Sequence, residues 1–397
     1  MAATSQLNAQ AGDAPRCGSR WATISELAAR REEWRELVSR SRYPSAFADP
    51  AWVLAWFRHY GSEHEAWPLL LSDAHGNMRG LALLALHRSR FAQTLSFAGA
   101  RDNGMEALVC APADEAPLAH ALAEALLHRR ERWDLWRIER LPCDSDLARL
   151  LLSTERQPGV AAHDVRLQPY VELTGSREGF EARFSPATRS KFRRGERRLE
   201  RADAVTRLVT DRAEARAALN ALLELHRRRA AQKGERRPYL DARFESFMGE
   251  VLDGLLPLRA RLWTLEVGGA VVSARLSFVE GSVEQGFMLG MDHRHSNLGP
   301  GRELERIGLM HSAAEGLREY DFGPGRDDYK YGWKAVDREM LRALVASPTP
   351  RGRLAGKPAA AQLRLRTSAA AGLLRREMGV AEQHATPGAP RIARLPR

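Results

Sequence analysis

A chain of 397 residues exceeds the length at which one hydrophobic core keeps growing, so two domains are expected. Its 44% apolar, 28% charged and 7% aromatic content is that of a globular protein in water. Its three cysteines, Cys17, Cys110 and Cys143, have no metal-ligand spacing, which argues for a reducing compartment and against zinc or iron–sulfur chemistry.

The net charge of +11 raises the question of a nucleic-acid partner. Beyond position 350, however, ten Lys and Arg stand against only Glu377 and Glu382. Most of the excess therefore belongs to the tail, and the mildly basic body disfavours nucleic acid. The first 20 residues hold no apolar leader core, and no apolar run is long enough to span a bilayer. A cytoplasmic protein is expected.

Residues 1–20 read as disordered, being rich in Ala, Ser, Gln and Gly without periodicity. Leu27, Trp34, Leu37 and Val38 then suit an amphipathic helix over 24–38. Asp49-Pro50 resembles an N-cap with proline at the first helical position, placing Trp52, Val53, Trp56 and Phe57 on one helical face. Apolar runs at 67–71 and 81–86, around the turn residues 73–77, form a hairpin pattern. A helix over 116–130, a strand over 133–138, a helix over 146–152 and a strand over 170–173 follow.

The second half repeats that order of elements. Helices are expected over 187–201, 212–231 and 241–255, then a hairpin over 258–279 turning at Gly268-Gly269. A strand over 283–291, a loop, a helix over 302–316 and a strand over 319–322 complete it. The order suggests a duplicated α/β unit. Residues 348–397 read either as a disordered basic tail or as a basic amphipathic helix, with Leu363, Leu365, Leu373 and Leu374 set among arginines.

Three segments concentrate chemistry. Between Gly290 and Arg302 a strand gives way to a glycine-bearing loop and a helix start, where backbone N–H groups and the positive helix end can hold an anion; an ordinary strand-to-helix turn explains it equally. From Tyr320 to Lys334 a strand runs through Gly323-Pro324-Gly325 into a dense set of acid, phenol, amine and indole groups. That cluster is either a site or a solvated loop with Trp333 tucked into the core. Between Arg189 and Arg201 seven cations occupy thirteen residues, enough for an anionic ligand or for a solvated face with Glu196 and Glu200 in intrahelical pairs. The twelve histidines are scattered, and no metal site is expected.

With these motifs in hand, the chain resembles the GNAT-superfamily acetyltransferases linked to cellulose biosynthesis (the CelD/BcsL family), relatives of the FemAB peptidyltransferases. The residues that carry the likeness are Tyr320-Asp321-Phe322-Gly323-Pro324-Gly325 with Tyr329-Lys330 and Trp333. The basic helix, the 226–234 stretch, Gly299-Pro300-Gly301, Trp133-Asp134 and Leu141-Pro142 support it. The superfamily loop begins with Gln or Arg three residues before its first glycine; here that position is Ser296, and a proline lies between the glycines.

The resemblance implies an α/β protein of two tandem GNAT-like domains, each a central, mostly antiparallel mixed sheet flanked by helices. The expected division is 21–176 for a degenerate first domain, 177–347 for the catalytic one and 348–397 for the tail. It further implies acetyl-CoA or another acyl-CoA as co-substrate, without metal, held by Leu298, Gly299, Pro300, Gly301 and Arg302. Glu284 or Asp321 would serve as general base, Tyr329 as the acid for the leaving thiolate and Lys330 as stabiliser of the tetrahedral intermediate. Arg189, Lys191, Arg194 and Trp333 would bind a polar, anionic saccharide-like acceptor bearing an amine or hydroxyl. The basic tail would contact an anionic membrane surface or polysaccharide machinery. Two alternatives stay open: an aminoacyl transferase using charged tRNA, and a non-catalytic accessory protein of a polysaccharide system.

Overall fold

The computed structural model describes residues 18–99, 104–153, 159–235 and 240–364. The first half comprises β1 (Gly18–Trp21), α1 (Ile24–Ala29), α2 (Arg31–Ser39), α3 (Pro50–Tyr60), β2 (His64–Ser72), β3 (Met78–Arg88) and β4 (Gln93–Phe97). It continues through β5 (Val109–Cys110), α4 (Glu115–His128), β6 (Leu135–Pro142), α5 (Asp146–Leu152) and β7 (Val160–Glu172). The second half comprises α6 (Arg177–Ala182), α7 (Pro186–Arg201), β8 (Val205–Val209), α8 (Arg212–Gln232), α9 (Ala242–Leu255), β9 (Ala260–Val267) and β10 (Ala270–Glu280). It closes with β11 (Val283–Met291), α10 (Pro300–Ala314), β12 (Glu319–Asp321), α11 (Asp328–Tyr331), β13 (Val336–Ala346) and α12 (residues 350–364).

Local chemistry explains most of these boundaries. The expected first helix breaks in two at Arg30, whose backbone leaves the helical region. Asp49 caps α3 as its sequence suggested, its carboxylate accepting from the Ala51 N–H at 2.7 Å. Ser185 and Asp211 cap α7 and α8 in the same way. At the two ends, the expectation of disorder over 1–20 is corrected at Gly18–Arg20, and of the two readings of the tail the helical one holds over 350–364. Gly18–Arg20 pair with Leu70–Ser72 as part of β1, because Trp21 gains an aromatic partner in Trp67. Residues 350–364 form a helix whose Ala360 packs with Leu135, Ala162 and Leu344. Residues 1–17 and 365–397, with Leu365, Leu373 and Leu374, lie outside the described residues.

All thirteen strands join one mixed, mostly antiparallel sheet in the order β1-β2-β3-β4-β6-β13-β7-β12-β11-β10-β9-β8, with β5 on the flank of β3. Read from either end, this order is the same: the two halves mirror each other about the β13–β7 pair. Each half gives its last strand to the other. β7 pairs with β12, β13 pairs with β6, and the two exchanged strands pair with each other over ten registered positions.

One core is common to both halves. It joins Trp34, Trp52 and Val53 of α2 and α3 to Leu222, Phe247 and Val251 of α8 and α9 and to Phe278 of β10. Trp52 makes edge contacts with Phe47, Phe247, Phe278 and Phe287 at 4.7–5.5 Å, and its indole N–H donates to the Gly99 carbonyl at 2.9 Å. On the opposite face, α4 and α5 cover the first half, and α6, α7 and α10 cover the second. Among the described residues no helix is long and apolar enough to cross a membrane.

Candidate active site

Each half contains one parallel strand pair, and each pair soon parts. In the second half β11 and β12 stay in register over Val283–Glu319, Glu284–Tyr320 and Gln285–Asp321 only. Immediately beyond, β11 bulges: Gly286 faces Ser277 and Met288 faces Leu276, so Phe287 falls at the shift in register. A side chain at Gly286 would meet the Tyr320 hydroxyl at 2.4 Å, which is why glycine stands there. Divergence of parallel strands at their carboxyl ends opens a crevice in which α/β folds place ligands.

Around that crevice, the loop after β11 meets the start of α10. Asp292 caps the short turn His293–Leu298, and Arg294 bonds its carboxylate through both the backbone N–H and the guanidinium, holding the acid down at about 2. Gly299 lies in the left-handed region at φ 63°, which a residue with a Cβ adopts only under strain. Leu298 and Pro300 are buried, and Gly301 is pressed against Met291, where an added Cβ would stand 3.0 Å from the sulfur. The first intrahelical bond in which an N–H of α10 reaches back is Glu303 to Gly299, at 3.0 Å. Pro300 has no N–H, so the donors of this first turn are Gly301 and Arg302. They lie at the positive end of a fifteen-residue helix, with the Arg302 side chain exposed. A cleft of about 480 Å3 between α8 and the 291–294 segment adjoins the loop.

The basic helix α7 packs beside this helix start. Its Gly195 lets the Glu303 carboxylate approach so closely that a Cβ would overlap it. Glu196 pairs with Arg306 at 3.0 Å rather than within its own helix, because α10 presents that guanidinium to it. Phe192, Gly195 and Leu199 face inward. Lys191 and Arg194 are exposed and Arg189 is half-buried; Arg194 reaches the Ser190 hydroxyl at 3.1 Å. Among the described residues Arg189 and Lys191 form no ion pair.

The remaining expected residues divide by exposure. Glu284 is fully buried, and its carboxylate is engaged by Arg275 at 2.8 Å, Ser277 at 2.5 Å and Ser312. Asp321 is also buried: it accepts from Gln168 at 2.6 Å and from the Gly323 N–H at 2.7 Å, fixing the turn after β12, and burial raises its pKa. The Lys330 ammonium lies beneath that turn, donating to the carbonyls of Gly323, Pro324 and Gly325 at 3.3, 2.7 and 2.8 Å. Desolvation lowers its pKa, with Asp327 opposing. Trp333 is buried and stacks on Phe192 at 5.7 Å, so it cements α7 to the last loop and is closed to a ligand. Tyr329, by contrast, is 52% exposed beside Phe322, and partial desolvation with the charge of Glu305 holds its phenol protonated.

Sequence reasoning missed the ionic cluster behind Tyr329. Arg275 is buried between Glu284 and Glu305, at 2.8 and 3.2 Å, with its guanidinium 4.8 Å from the centre of the Tyr320 ring. Burial raises the Glu305 carboxyl, which Arg275 counters. The signal was the run Glu303-Leu304-Glu305-Arg306 in a helix whose packed face should be apolar; all four are buried.

With the geometry in place, comparison with known proteins gives it a family context. Residues 186–331 match the model of a family described as an acetyltransferase (GNAT) domain. No curated protein matches the chain. Among solved structures, FemX shares 12% identity with a TM-score of 0.57 over 82% of this chain and 96% of that one. The C-terminal domain of a putative lysylphosphatidylglycerol synthetase from Agrobacterium fabrum shares 12% at TM-score 0.52, covering 84% and 95%. A conserved protein of unknown function from Bacteroides thetaiotaomicron shares 8% at TM-score 0.53, covering 83% and 100%. At these identities the likeness is one of fold.

Proposed function

We propose, from a second half that carries a GNAT domain, that the chain transfers an acyl group from a CoA thioester to an amine or hydroxyl of a polar, saccharide-like acceptor. The observation that carries this reading is the start of α10. Its Gly301 and Arg302 N–H groups, without a hydrogen-bond partner among the described residues and at a helix N-terminus set against the end of β11 by the left-handed Gly299, suit the pyrophosphate of CoA. The exposed cations of α7 flank the same end of α10 and add to the attraction for a phosphate-bearing ligand.

In the reaction the acceptor's lone pair attacks the thioester carbonyl, the C–N or C–O bond forms, and the C–S bond breaks to leave a thiolate. Tyr329 is the proposed acid for that thiolate: it is exposed, and its surroundings keep the phenol protonated. Glu284 and Asp321 have their carboxylates committed to donors inside the protein, and Lys330 is committed to three carbonyls. We assign them to positioning the two parted strands and the turn that carries Tyr329. The charges of Glu305 and Asp327 both act on Tyr329; Glu305 pairs with Arg275 through Oε2 at 3.2 Å, and we assign its other oxygen, which has no hydrogen-bond partner among the described residues, to taking up the acceptor's proton.

Replacing Tyr329 by Phe tests the assignment. With acetyl-CoA as donor and glucosamine as acceptor, turnover is expected to fall by about 10^2-fold with little change in donor affinity. Unchanged turnover would remove Tyr329 from the chemistry. An aminoacyl transferase using charged tRNA is the second reading, favoured by the exposed cations of α7. Transfer from acetyl-CoA without tRNA decides against it. The link to cellulose or other polysaccharide synthesis rests on the resemblance of the sequence motifs.

A further inference from the structure

The first half repeats the parting of parallel strands, and there too a cleft results. β4 and β6 pair only at Thr94–Leu135 and Leu95–Trp136. Beyond that point Ser96 and Phe97 diverge from Arg137 and Glu139, and a cleft of about 650 Å3 opens between them. This is the range of small-molecule sites, and it lies at the carboxyl ends of parallel strands, where such folds hold ligands. It lies on other strands than the acyl-transfer site and has a different chemistry.

Among the described residues no glycine-rich helix start points into it as α10 points at the second-half crevice. Its walls instead combine hydroxyls, one pair of each charge and aromatic rings. The side chains of Thr94 and Ser96 line it, and among the described residues neither hydroxyl has a partner. Arg137 and Arg140 are matched by Glu63 and Glu139, and Glu106 carries a raised pKa, so the site has no excess positive charge to draw an anion. Glu106 is held at the back by the backbone N–H groups of Glu139 and Arg140, at 2.6 and 3.1 Å; burial pushes its carboxyl up to about 7, so it also donates near neutrality. Trp56, nearly buried, and the half-buried Tyr60 supply ring faces on the side of the sheet to which Thr94 and Ser96 point, whereas Phe97 turns to the other face against Trp136.

We propose that this cleft binds a neutral, polyhydroxylated ligand of mono- or disaccharide size, through Thr94, Ser96, Arg137 and Glu139 over the rings of Trp56 and Tyr60. Vicinal hydroxyls both donate and accept, which suits paired guanidinium and carboxylate groups. The apolar face of a pyranose suits an aromatic floor. Such a site makes the first half a recognition module, independent of whether the second half transfers an acyl group.

Saturation-transfer NMR and calorimetric titration of the full chain with cellobiose, N-acetylglucosamine and glucose 1-phosphate test it. At least one of the two neutral sugars is expected to bind. Ser96→Trp, which fills the cleft, and Arg137→Ala, at a partly exposed position, are each expected to weaken that binding about tenfold or more, with acetyl-CoA titration and thermal midpoint unchanged. The proposal is overturned if neither neutral sugar binds at about 10 mM. It is equally overturned if binding survives both substitutions, or if glucose 1-phosphate alone binds. Because acetyl-CoA is titrated separately, loss of this proposal leaves the acyl-transfer reading standing, and the converse holds.

Discussion

At the scale of single residues, the buried lysine and the exposed tyrosine on the same short helix carry different work. Lys330 spends its ammonium on three carbonyls of the Gly323–Gly325 turn, while its neighbour Tyr329 faces outward. Lys330→Met would leave those carbonyls, of which only that of Gly323 belongs to a buried residue, without their donor at a cost of about 1–3 kcal/mol, read as a lower thermal midpoint. An unchanged midpoint with lost turnover would instead show that Lys330 acts on substrate.

Glu106 gives a signed pH prediction. Its folded pKa of about 7 exceeds its ordinary value of 4.5, so the unfolded chain releases this proton first as pH rises. The contribution to stability is full below 4.5 and is lost as pH climbs through about 7, with a slope of at most about 1.4 kcal/mol per pH unit. Denaturant titrations between pH 5 and 7 should show a shallower slope in Glu106→Gln than in the parent. An identical slope would place the proton elsewhere.

At the scale of elements, caps and turns were the most legible features, because their signals are local. Asp49-Pro50 announced α3, and the Gly268-Gly269 turn fixed the β9–β10 hairpin. β13 and β8 were missed. Arg338 in β13 and Arg207 in β8 interrupt the apolar alternation, since their ion pairs form only after distant segments arrive. The role of Glu284 was illegible for the same reason, since a sequence does not show that Arg275 and Ser312 surround the carboxylate, whereas a buried Trp333 was one of the two readings its loop allowed.

Asp49 does more than its sequence signal implied. Besides capping α3 it is wholly buried against Arg259, which also pairs with Glu280 at 2.8 Å, so one carboxylate ties the first half to the second. Asp49→Ala is expected to cost about 2–4 kcal/mol in a chemical denaturation experiment, more than a cap alone. Gly299→Ala forces a Cβ into the left-handed region; about 1 kcal/mol of stability should be lost, together with donor affinity.

At the scale of the whole molecule, the palindromic strand order was foreshadowed only as a repeated order of elements. The exchange of β7 and β13 has no sequence signature, because which strand edge a chain returns to depends on the assembled sheet. The exchange also bears on the expected division at 176. A fragment of residues 177–364 lacks β7 and leaves β12 and β13 without their shared neighbour. It also loses Trp34, Trp52 and Val53 from the common core. Such a fragment is expected to be insoluble or molten by near-ultraviolet circular dichroism, and co-expression with residues 18–176 to restore it. A cooperative unfolding transition in the isolated fragment would show instead that the halves fold alone.

The central claim is that an acyl-CoA binds at the start of α10. Calorimetric titration of acetyl-CoA into the full chain, and into Arg302→Glu, tests it most directly. Arg302 is exposed, so the substitution leaves the core untouched while placing a negative charge beside those two N–H groups. The account predicts one-to-one binding by the parent and an affinity about tenfold or more weaker in the variant. No binding by the parent, or equal binding by both, would contradict it.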